Sequence, residues 1–220
     1  VLGALLKPHR QDIILATKVG NRWKQDGTGW TWDPSPTHIK QAVKESLRRL
    51  QTDYIDVYQL HGGTIDDPWA EIIDTFEDLK KEGLIREYGI SSIRPNVFIP
   101  FARNSNAVSN MMQFNILDQC ANEWFATLDQ AGVSVVTRGS LAKGILTNEW
   151  RERLKSYMKY SQEEAVEILE QLDALYDDVH AAALTFNLHF ATIASTVIGA
   201  RTKEQLTQTI EAYNRAQQLD

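Results

Sequence analysis

The stretch TDYIDVYQLHGG, residues 52–63, decides the fold class of this chain. Its β-branched and aromatic residues predict a strand, and the two glycines after His61 end that strand. His61 is therefore predicted to lie where the strand passes into a loop. In parallel α/β folds the carboxyl ends of the strands face the ligand, so this histidine is a candidate site residue.

The rest of the chain alternates strands and helices around this stretch. Further strands are predicted at residues 13–17, 85–90, 111–116, 133–137 and 193–198. Helices are predicted at residues 37–50, 96–105, 123–131 and 181–190, after the cap Asp67-Pro68, after the capping box that begins at Ser161, and from the cap Thr202 to about Leu219. This alternation favours parallel βαβ units with right-handed crossovers.

Two architectures fit six such units. One is a (β/α)8 TIM barrel whose first two βα units are absent from these residues, and the other is an open doubly wound sheet. No G-x-G-x-x-G follows any predicted strand, so the open-sheet dinucleotide fold loses its main support. Residues 1–6 are typical of the last turns of a helix without its start. We expect one barrel domain over residues 1–220, incomplete at its amino end.

Composition narrows the functional classes. The chain has 23 Lys and Arg against 29 Asp and Glu, a net charge of −6, and no basic cluster, which argues against nucleic-acid and anionic-membrane partners. Cys120 is the single cysteine, so no internal disulfide forms, and no signal peptide or transmembrane run is present; a cytoplasmic location is expected. The histidines lack metal-ligand spacing, so no metal is predicted. The oligomeric state stays open.

Every predicted strand ends on a polar group. These groups are Lys18, His61, Ser91-Ser92, Gln113 with Asn115, Arg138-Gly139-Ser140, and Arg201. A lone polar residue at a strand end is usually a solvated terminus. Six in register predict a binding or catalytic site at the carboxyl ends of the strands.

Several separated motifs resemble the aldo-keto reductases, and bacterial members in particular. They begin with Thr17-Lys18 and the span 39–61, which includes SLRRL, DYID and His61. The turn GISS at residues 89–92, Gln113, LAKG at 141–144 and GART at 199–202 through Gln205 follow in the family's order. The resemblance covers residues 12–210 and implies reduction of an aldehyde or ketone by hydride transfer from NADPH.

The resemblance also implies roles for the catalytic side chains. In the family a tyrosine donates the proton to the carbonyl oxygen, and a lysine ammonium lowers the pKa of that phenol, which is ordinarily about 10. Lys18 matches this lysine, and His61 matches the histidine that orients the carbonyl. The family's tyrosine precedes the matched region, so we expect it outside these residues, in a longer protein. Tyr54 and Tyr58 lie on the His61 strand and are not substitutes.

Cofactor contacts follow from the same motifs. Arg201, beside a helix start, suits the 2′-phosphate of NADPH, and Arg138 stands where many members stack an aromatic ring on the nicotinamide. The remaining implied cofactor residues are Ser91, Ser92, Gln113, Gly139, Ser140, Leu141, Lys143, Gly144, Gly199, Ala200, Gln205, Gln208 and Thr209. The resemblance implies that Ser91, Ser92 and Gln113 contact the nicotinamide carboxamide, where Ser92 replaces an asparagine. Gln208-Thr209 replace a Glu-Asn pair that contacts the adenine. Gln205 also fits a capping box with Thr202.

Substrate contacts and rival functions remain as hypotheses. Trp23, Trp30 and Trp32 follow the Lys18 strand and form either a substrate wall or a cover over the barrel mouth. The expected partner is a small-molecule carbonyl substrate. One alternative is a catalytically weak, NADP(H)-binding regulatory barrel that senses redox state. Another is a barrel enzyme that uses Arg201 to hold a phosphorylated substrate.

Overall fold

A computed structural model describes residues 1–176 and 178–218 of the chain. Within them the strands are β1 (Ala16–Val19), β2 (Asn21–Trp23), β3 (Trp30–Trp32), β4 (Ile55–Leu60), β5 (Ile85–Ile90), β6 (Ser109–Gln113), β7 (Ser134–Arg138) and β8 (Ile193–Val197). The α-helices are α1 (Leu2–Leu6), α2 (Pro36–Leu50), α3 (Trp69–Lys81), α4 (Pro95–Asn104), α5 (Phe125–Gln130), α6 (Trp150–Arg153), α7 (Gln162–Tyr176), α8 (Val179–Leu188) and α9 (Lys203–Ala216). None of the described helices has the length and hydropathy needed to cross a bilayer.

The chain divides into two compact units. The first unit contains Val1–Met111 and Gln130–Val133, and the second contains Met112–Asp129 and Ser134–Asp220. In the first unit β1 pairs with β4, β4 with β5, and β5 with β6, each in parallel. In the second unit β7 pairs in parallel with β8. The predicted parallel βα units are therefore confirmed.

The helices of the first unit pack on one face of its strands. Side chains alternate along β4, so Tyr58 points toward α3 and contacts Phe76, with ring centroids 5.8 Å apart. Phe76 stacks in turn on Tyr88 of β5 at 5.2 Å. Gln59 and His61 project from the opposite face of β4. The helix-facing side of β4 is thus packed with aromatic side chains, and Gln59 and His61 lie on its other side.

An ion-pair cluster fixes the amino end of β4. Asp56 accepts from Arg10 at 2.7 Å and from Arg86 at 3.2 Å, and the Arg10 and Asp56 side chains are each 10% exposed. Both guanidiniums lie over the ring of Tyr54, at 3.8 and 4.0 Å from its centroid. Tyr54 is therefore held by structural contacts.

An aromatic cluster forms the core of the second unit. Phe114 lies 5.0 Å from Phe125, 5.3 Å from Phe186 and 5.2 Å from Phe190, measured between ring centroids. Trp150 and further apolar residues form a separate buried cluster under the segment that follows β7. Since α6 begins at Trp150, this cluster holds that segment in place.

Several predicted boundaries are wrong. The strand that carries Lys18 begins at Ala16, and Ile14, predicted as buried, is 81% exposed. The tryptophan-rich loop contains an antiparallel hairpin, β2–β3. Asp67 does not cap α3, because its carboxylate accepts from the Thr64 backbone and the Trp32 indole instead.

The remaining differences are shifts of element ends. The strand predicted at 111–116 lies at Ser109–Gln113, and the helix predicted at 123–131 is a 3-10 turn followed by α5. The predicted end of the last helix, Leu219, lies outside the described residues, and α9 ends at Ala216.

Candidate active site

Lys18 and His61 lie on neighbouring strands of the first unit. Lys18 is in register with Gln59, and the His61 backbone donates to Val19 O at 2.7 Å. Because Lys18, Gln59 and His61 lie at in-register or alternate positions, their side chains share the face opposite Tyr58. Lys18 is half-buried and His61 is exposed. The structure therefore places an ammonium and an imidazole on the same face of two adjacent strands.

The hairpin β2–β3 contacts the loops that follow these strands. Asn21 Nδ2 lies 3.5 Å from His61 Nδ1. Because an amide nitrogen only donates, this contact fits the tautomer of His61 that carries its proton on Nε2. In that tautomer Nε2–H is a hydrogen-bond donor.

Trp32 packs against the loops that carry both side chains. Its ring covers Gly20, two residues after Lys18, and approaches Gly62, directly after His61. At Gly20, whose φ is 121°, a Cβ would lie 2.4 Å from the ring, so only glycine allows this approach. The indole Nε1 donates to Asp67 at 3.0 Å. Trp32 is thus fixed in place, whereas Trp23 and Trp30 are 76% and 59% exposed.

Two buried polar side chains of the first unit were not identified from the sequence: Gln59, which is in register with Lys18, and Asn110 on β6. Gln59 is 2% exposed; its Nε2 donates to Ser109 Oγ at 3.3 Å, and its Oε1 has no hydrogen-bond partner among the described residues. Asn110 Oδ1 accepts from the Ser92 backbone at 3.1 Å, while Asn110 Nδ2 has no described partner. The signal was a glutamine between Tyr58 and Leu60 within a predicted strand.

The two predicted serines differ in availability. Ser91 is half-buried and follows β5, with its backbone N–H donating to Leu60 O at 2.7 Å. Ser92 is 6% exposed, and its hydroxyl accepts from the Arg94 backbone at 3.3 Å, just before α4 begins. Ser92 therefore has a structural hydrogen bond in addition to its predicted carboxamide role.

In the second unit, Gln113 is held by charged neighbours. Its Nε2 donates to Asp118 Oδ2 at 2.7 Å and to Met158 Sδ at 3.5 Å, and its Oε1 accepts from Arg138 at 2.9 Å. Gly139 follows Arg138, and a Cβ there would lie 3.4 Å from Gln113 Cγ. The structure thus brings together the residues that end β6 and β7.

A cavity of about 730 Å³ lies in the second unit. Its lining includes many residues predicted to bind the cofactor: Gly139, Ser140, Leu141, Lys143, Gly144, Gly199, Ala200, Arg201, Gln205, Gln208 and Thr209. Arg153, Lys155 and His180 line it as well and were not predicted. Four cations therefore surround the cavity, and no carboxylate is found among its described lining residues.

The backbone after β7 turns sharply beside the cavity. Ala142 and Lys143 both have positive φ, at 46° and 60°, in a tight 3-10 turn. Ser140 is buried, with its hydroxyl 3.3 Å from Thr137 Oγ1. Ser140 therefore fixes the turn, whereas the exposed Lys143 side chain borders the cavity.

Side chains of α6 and α9 meet at the cavity wall. Glu149 pairs with Arg153 and accepts from Gln208 Nε2 at 2.8 Å. Gln205 Oε1 accepts from the Arg201 backbone at 2.8 Å, and Thr202 Oγ1 caps the Gln205 N–H at 3.2 Å. Gln205 thus takes part in capping α9, the structural role that the sequence left open. Its side chain accepts from the Arg201 backbone and not from the Thr202 backbone, as it would in a full capping box.

His180 is the only described histidine that lines this cavity. It is 6% exposed, and its Nε2 has no hydrogen-bond partner among the described residues. Burial lowers the pKa of His180, while the neighbouring Asp178 carboxylate partly opposes that effect. His180 therefore enters the cavity wall as a neutral side chain near neutral pH.

Comparisons with known proteins match the whole chain. The family described as "Aldo/keto reductase family" matches residues 1–220. The uncharacterized oxidoreductase YqkF of Bacillus subtilis is 47% identical over 222 residues, covering 97% of this chain and 72% of that protein. The NADH-specific methylglyoxal reductase of Escherichia coli is 26% identical over 236 residues, covering 96% of this chain and 72% of that protein.

A solved structure agrees. The aldo-keto reductase AKR11C1 from Bacillus halodurans, in its holo form, superposes with a TM-score of 0.91 and 48% identity, covering 99% of this chain and 74% of that one. The fold class is therefore that of the (β/α)8 barrel, and the alternative of an open doubly wound sheet is excluded.

Proposed function

Because the chain belongs to the aldo/keto reductase family, we propose that it reduces aldehydes or ketones to alcohols with NADPH as hydride donor. Membership implies an oxidoreductase that uses a nicotinamide cofactor on small carbonyl or alcohol substrates. The main support for NADPH-dependent carbonyl reduction is that the side chains of Lys18 and His61 lie on the same face of the adjacent strands β1 and β4. We assign the proton-transfer side chains to the first unit, and most of the dinucleotide contacts, those lining the cavity, to the second.

The cavity of the second unit fits a ligand with several phosphates. Lys143, Lys155 and Arg201 supply positive charge to the lining, and Arg153, which also lines the cavity, is ion-paired with Glu149. Its volume of about 730 Å³ lies within the range of small-molecule and cofactor sites. Lys143 and the turn after β7 would hold the pyrophosphate, and Arg201 the 2′-phosphate.

The side chains of the first unit suit carbonyl polarisation. Bound NADPH supplies the hydride. In the tautomer that the Asn21 contact to Nδ1 fits, His61 Nε2–H donates to the carbonyl oxygen as negative charge develops there. The Lys18 ammonium on the same strand face stabilises that charge and lowers the pKa of a phenolic proton donor.

The proposed donor is a tyrosine that does not belong to these 220 residues. Tyr54 lies between two guanidiniums, and Tyr58 is buried against Phe76 on the opposite face of β4 from Lys18. Burial also raises the pKa of Tyr58, which makes it a poorer acid. Neither Tyr54, directly before β4, nor Tyr58 within it is therefore assigned the role of proton donor.

The test is NADPH oxidation by the full-length protein that contains this chain, with 4-nitrobenzaldehyde as substrate. Lys18→Met should lower kcat by at least about 100-fold, because general acid catalysis contributes about 10²–10⁴. Lys24→Met removes an exposed lysine of the hairpin loop and serves as the matched control. Wild-type turnover by Lys18→Met would refute the assignment.

Fluorescence titration with NADPH, together with the oxidation assay, separates the reductase from the rival regulatory barrel. Tight NADPH binding by the full-length protein without reduction of any tested carbonyl would favour the regulatory barrel over the reductase.

A further inference from the structure

The amide of Gln113 has three partners of unequal strength. Asp118 accepts from Nε2 at 2.7 Å, and Arg138 donates to Oε1 at 2.9 Å, so two of the three hydrogen bonds involve charged groups. The third partner is the thioether sulfur of Met158, which accepts from Nε2 at 3.5 Å. A thioether is a weak acceptor, whereas charge-assisted hydrogen bonds are roughly twice as strong as neutral ones. The contact to Met158 is therefore the one that a ligand can displace most easily.

Met158 is held in this place by a two-residue turn. Tyr157 and Tyr160 exchange backbone hydrogen bonds of 3.1 and 3.0 Å around Met158 and Lys159. Tyr157 is 5% exposed, and its hydroxyl accepts from Asn115 Nδ2 at 3.0 Å. Because Tyr157 anchors the turn in the core, the Met158 sulfur stays against Gln113.

Met158 is also the accessible methionine of the chain. Its side chain is 63% exposed and lines a second cavity of about 500 Å³, whereas Met111 and Met112 are 8% and 1% exposed. The chain has three methionines. An oxidant in solution therefore reaches Met158 well before the other two.

We propose that Met158 is a modification site at which a hydroperoxide, oxidising the thioether to the sulfoxide, weakens dinucleotide binding through Gln113. In the step, a sulfur lone pair forms the S–O bond while the O–O bond of the hydroperoxide breaks. The sulfur is oxidised, and the other peroxide oxygen is reduced and leaves with a proton as water or an alcohol. The inference rests on the proposed function, in which Gln113 binds the nicotinamide carboxamide.

The sulfoxide acts on Gln113 because its oxygen is a much stronger acceptor than the thioether sulfur. It holds the Nε2–H that the thioether would release to the carboxamide, so cofactor binding loses about one hydrogen bond. A net hydrogen bond contributes about 0.5–1.5 kcal/mol, which corresponds to a rise of about three- to tenfold in the Kd for NADPH.

The experiment treats the full-length protein with dilute hydrogen peroxide and follows two readouts. Peptide mass spectrometry should show a gain of about 16 Da on the peptide with Met158 and none on the peptide with Met111 and Met112. Fluorescence titration should show the three- to tenfold weaker NADPH binding. Met158→Leu should bind NADPH as the untreated wild type does and keep that affinity after peroxide. Met158→Gln, whose amide oxygen imitates the sulfoxide, should bind weakly without peroxide.

Cys120 provides the matched control, because it is exposed and lines the same cavity as Met158. Cys120→Ser should remain sensitive to peroxide; loss of sensitivity in this variant would overturn the inference. Complete oxidation of Met158 with unchanged NADPH affinity would overturn it as well. Absence of NADPH binding before treatment would instead refute the proposed function, so the two failures are distinguishable.

Discussion

Replacing Arg201 with alanine isolates the contribution of the cavity to the choice between NADPH and NADH. Arg201 borders the cavity beside the start of α9, and its backbone is held by Gln205. A charge-assisted hydrogen bond to a phosphate contributes about 1.5–3 kcal/mol. Because Arg201 is exposed, water and salt screen its charge, and the lower end of this range applies. We expect the Kd for NADPH to rise about ten- to thirtyfold.

The expected effect on NADH is smaller, because NADH lacks the 2′-phosphate. Its Kd should change by less than about threefold, which is the long-range share of one screened charge. The assay is fluorescence titration of the full-length protein with each dinucleotide. Lys203→Ala removes one charge from the same end of α9 without removing a residue of the cavity lining, so it should leave both Kd values nearly unchanged. Equal losses for the two dinucleotides, or an equal effect of Lys203→Ala, would refute the reasoning.

Two further predictions concern stability. Asp56→Asn should lower the free energy of unfolding, measured by urea titration, by about 3–5 kcal/mol, because it leaves the buried Arg10 guanidinium without its ion-pair partner. The control Asp78→Asn breaks the exposed ion pair with Lys40 and should lower it by less than about 1 kcal/mol. Similar losses in the two variants would contradict the prediction. Burial lowers the pKa of His180 below the unfolded value of about 6.5, so the unfolded chain binds the proton more readily and stability should fall as pH drops from 7.5 to 5. His180→Leu should flatten this dependence relative to wild type and to the control His189→Gln; an unchanged slope would count against it.

Local signals predicted the elements whose own residues determine them. Ser161 and Glu164 form the reciprocal capping box expected from their spacing, with hydrogen bonds of 2.8 and 3.2 Å. Thr202 caps the last helix as expected. His61 lies at the end of β4 because two glycines follow an apolar strand, which is a signal contained in a dozen residues.

Tertiary contacts determined what the sequence did not reveal. Trp32 was grouped with Trp23 and Trp30 by proximity in the chain, yet it alone packs on Gly20 and donates to the distant Asp67. Ile14 is as apolar as the residues of a buried strand, but β1 begins only at Ala16 and leaves Ile14 exposed. No pattern of one segment contains such information.

The unpredicted cations of the cavity show the same limit. Arg153 and Lys155 come from a segment without a recognisable motif, and only the buried cluster around Trp150 places them beside α9. Predicting them would have required knowing how that segment packs. Gln59, by contrast, had a signal that was available, since a glutamine between Tyr58 and Leu60 in a predicted strand indicates a specific polar environment.

The charge around the cavity has a kinetic consequence for ligand capture. These 220 residues have a net charge of −6, which repels an approaching polyanion at long range, while Lys143, Lys155 and Arg201 attract it within the cavity. At an ionic strength of about 0.1 M the screening length is about 10 Å, so mobile ions suppress the distant repulsion more than the local attraction. Moderate salt should consequently weaken the distant repulsion first, and it should also shorten the residence time of the polyanion, because Lys143, Lys155 and Arg201 are exposed.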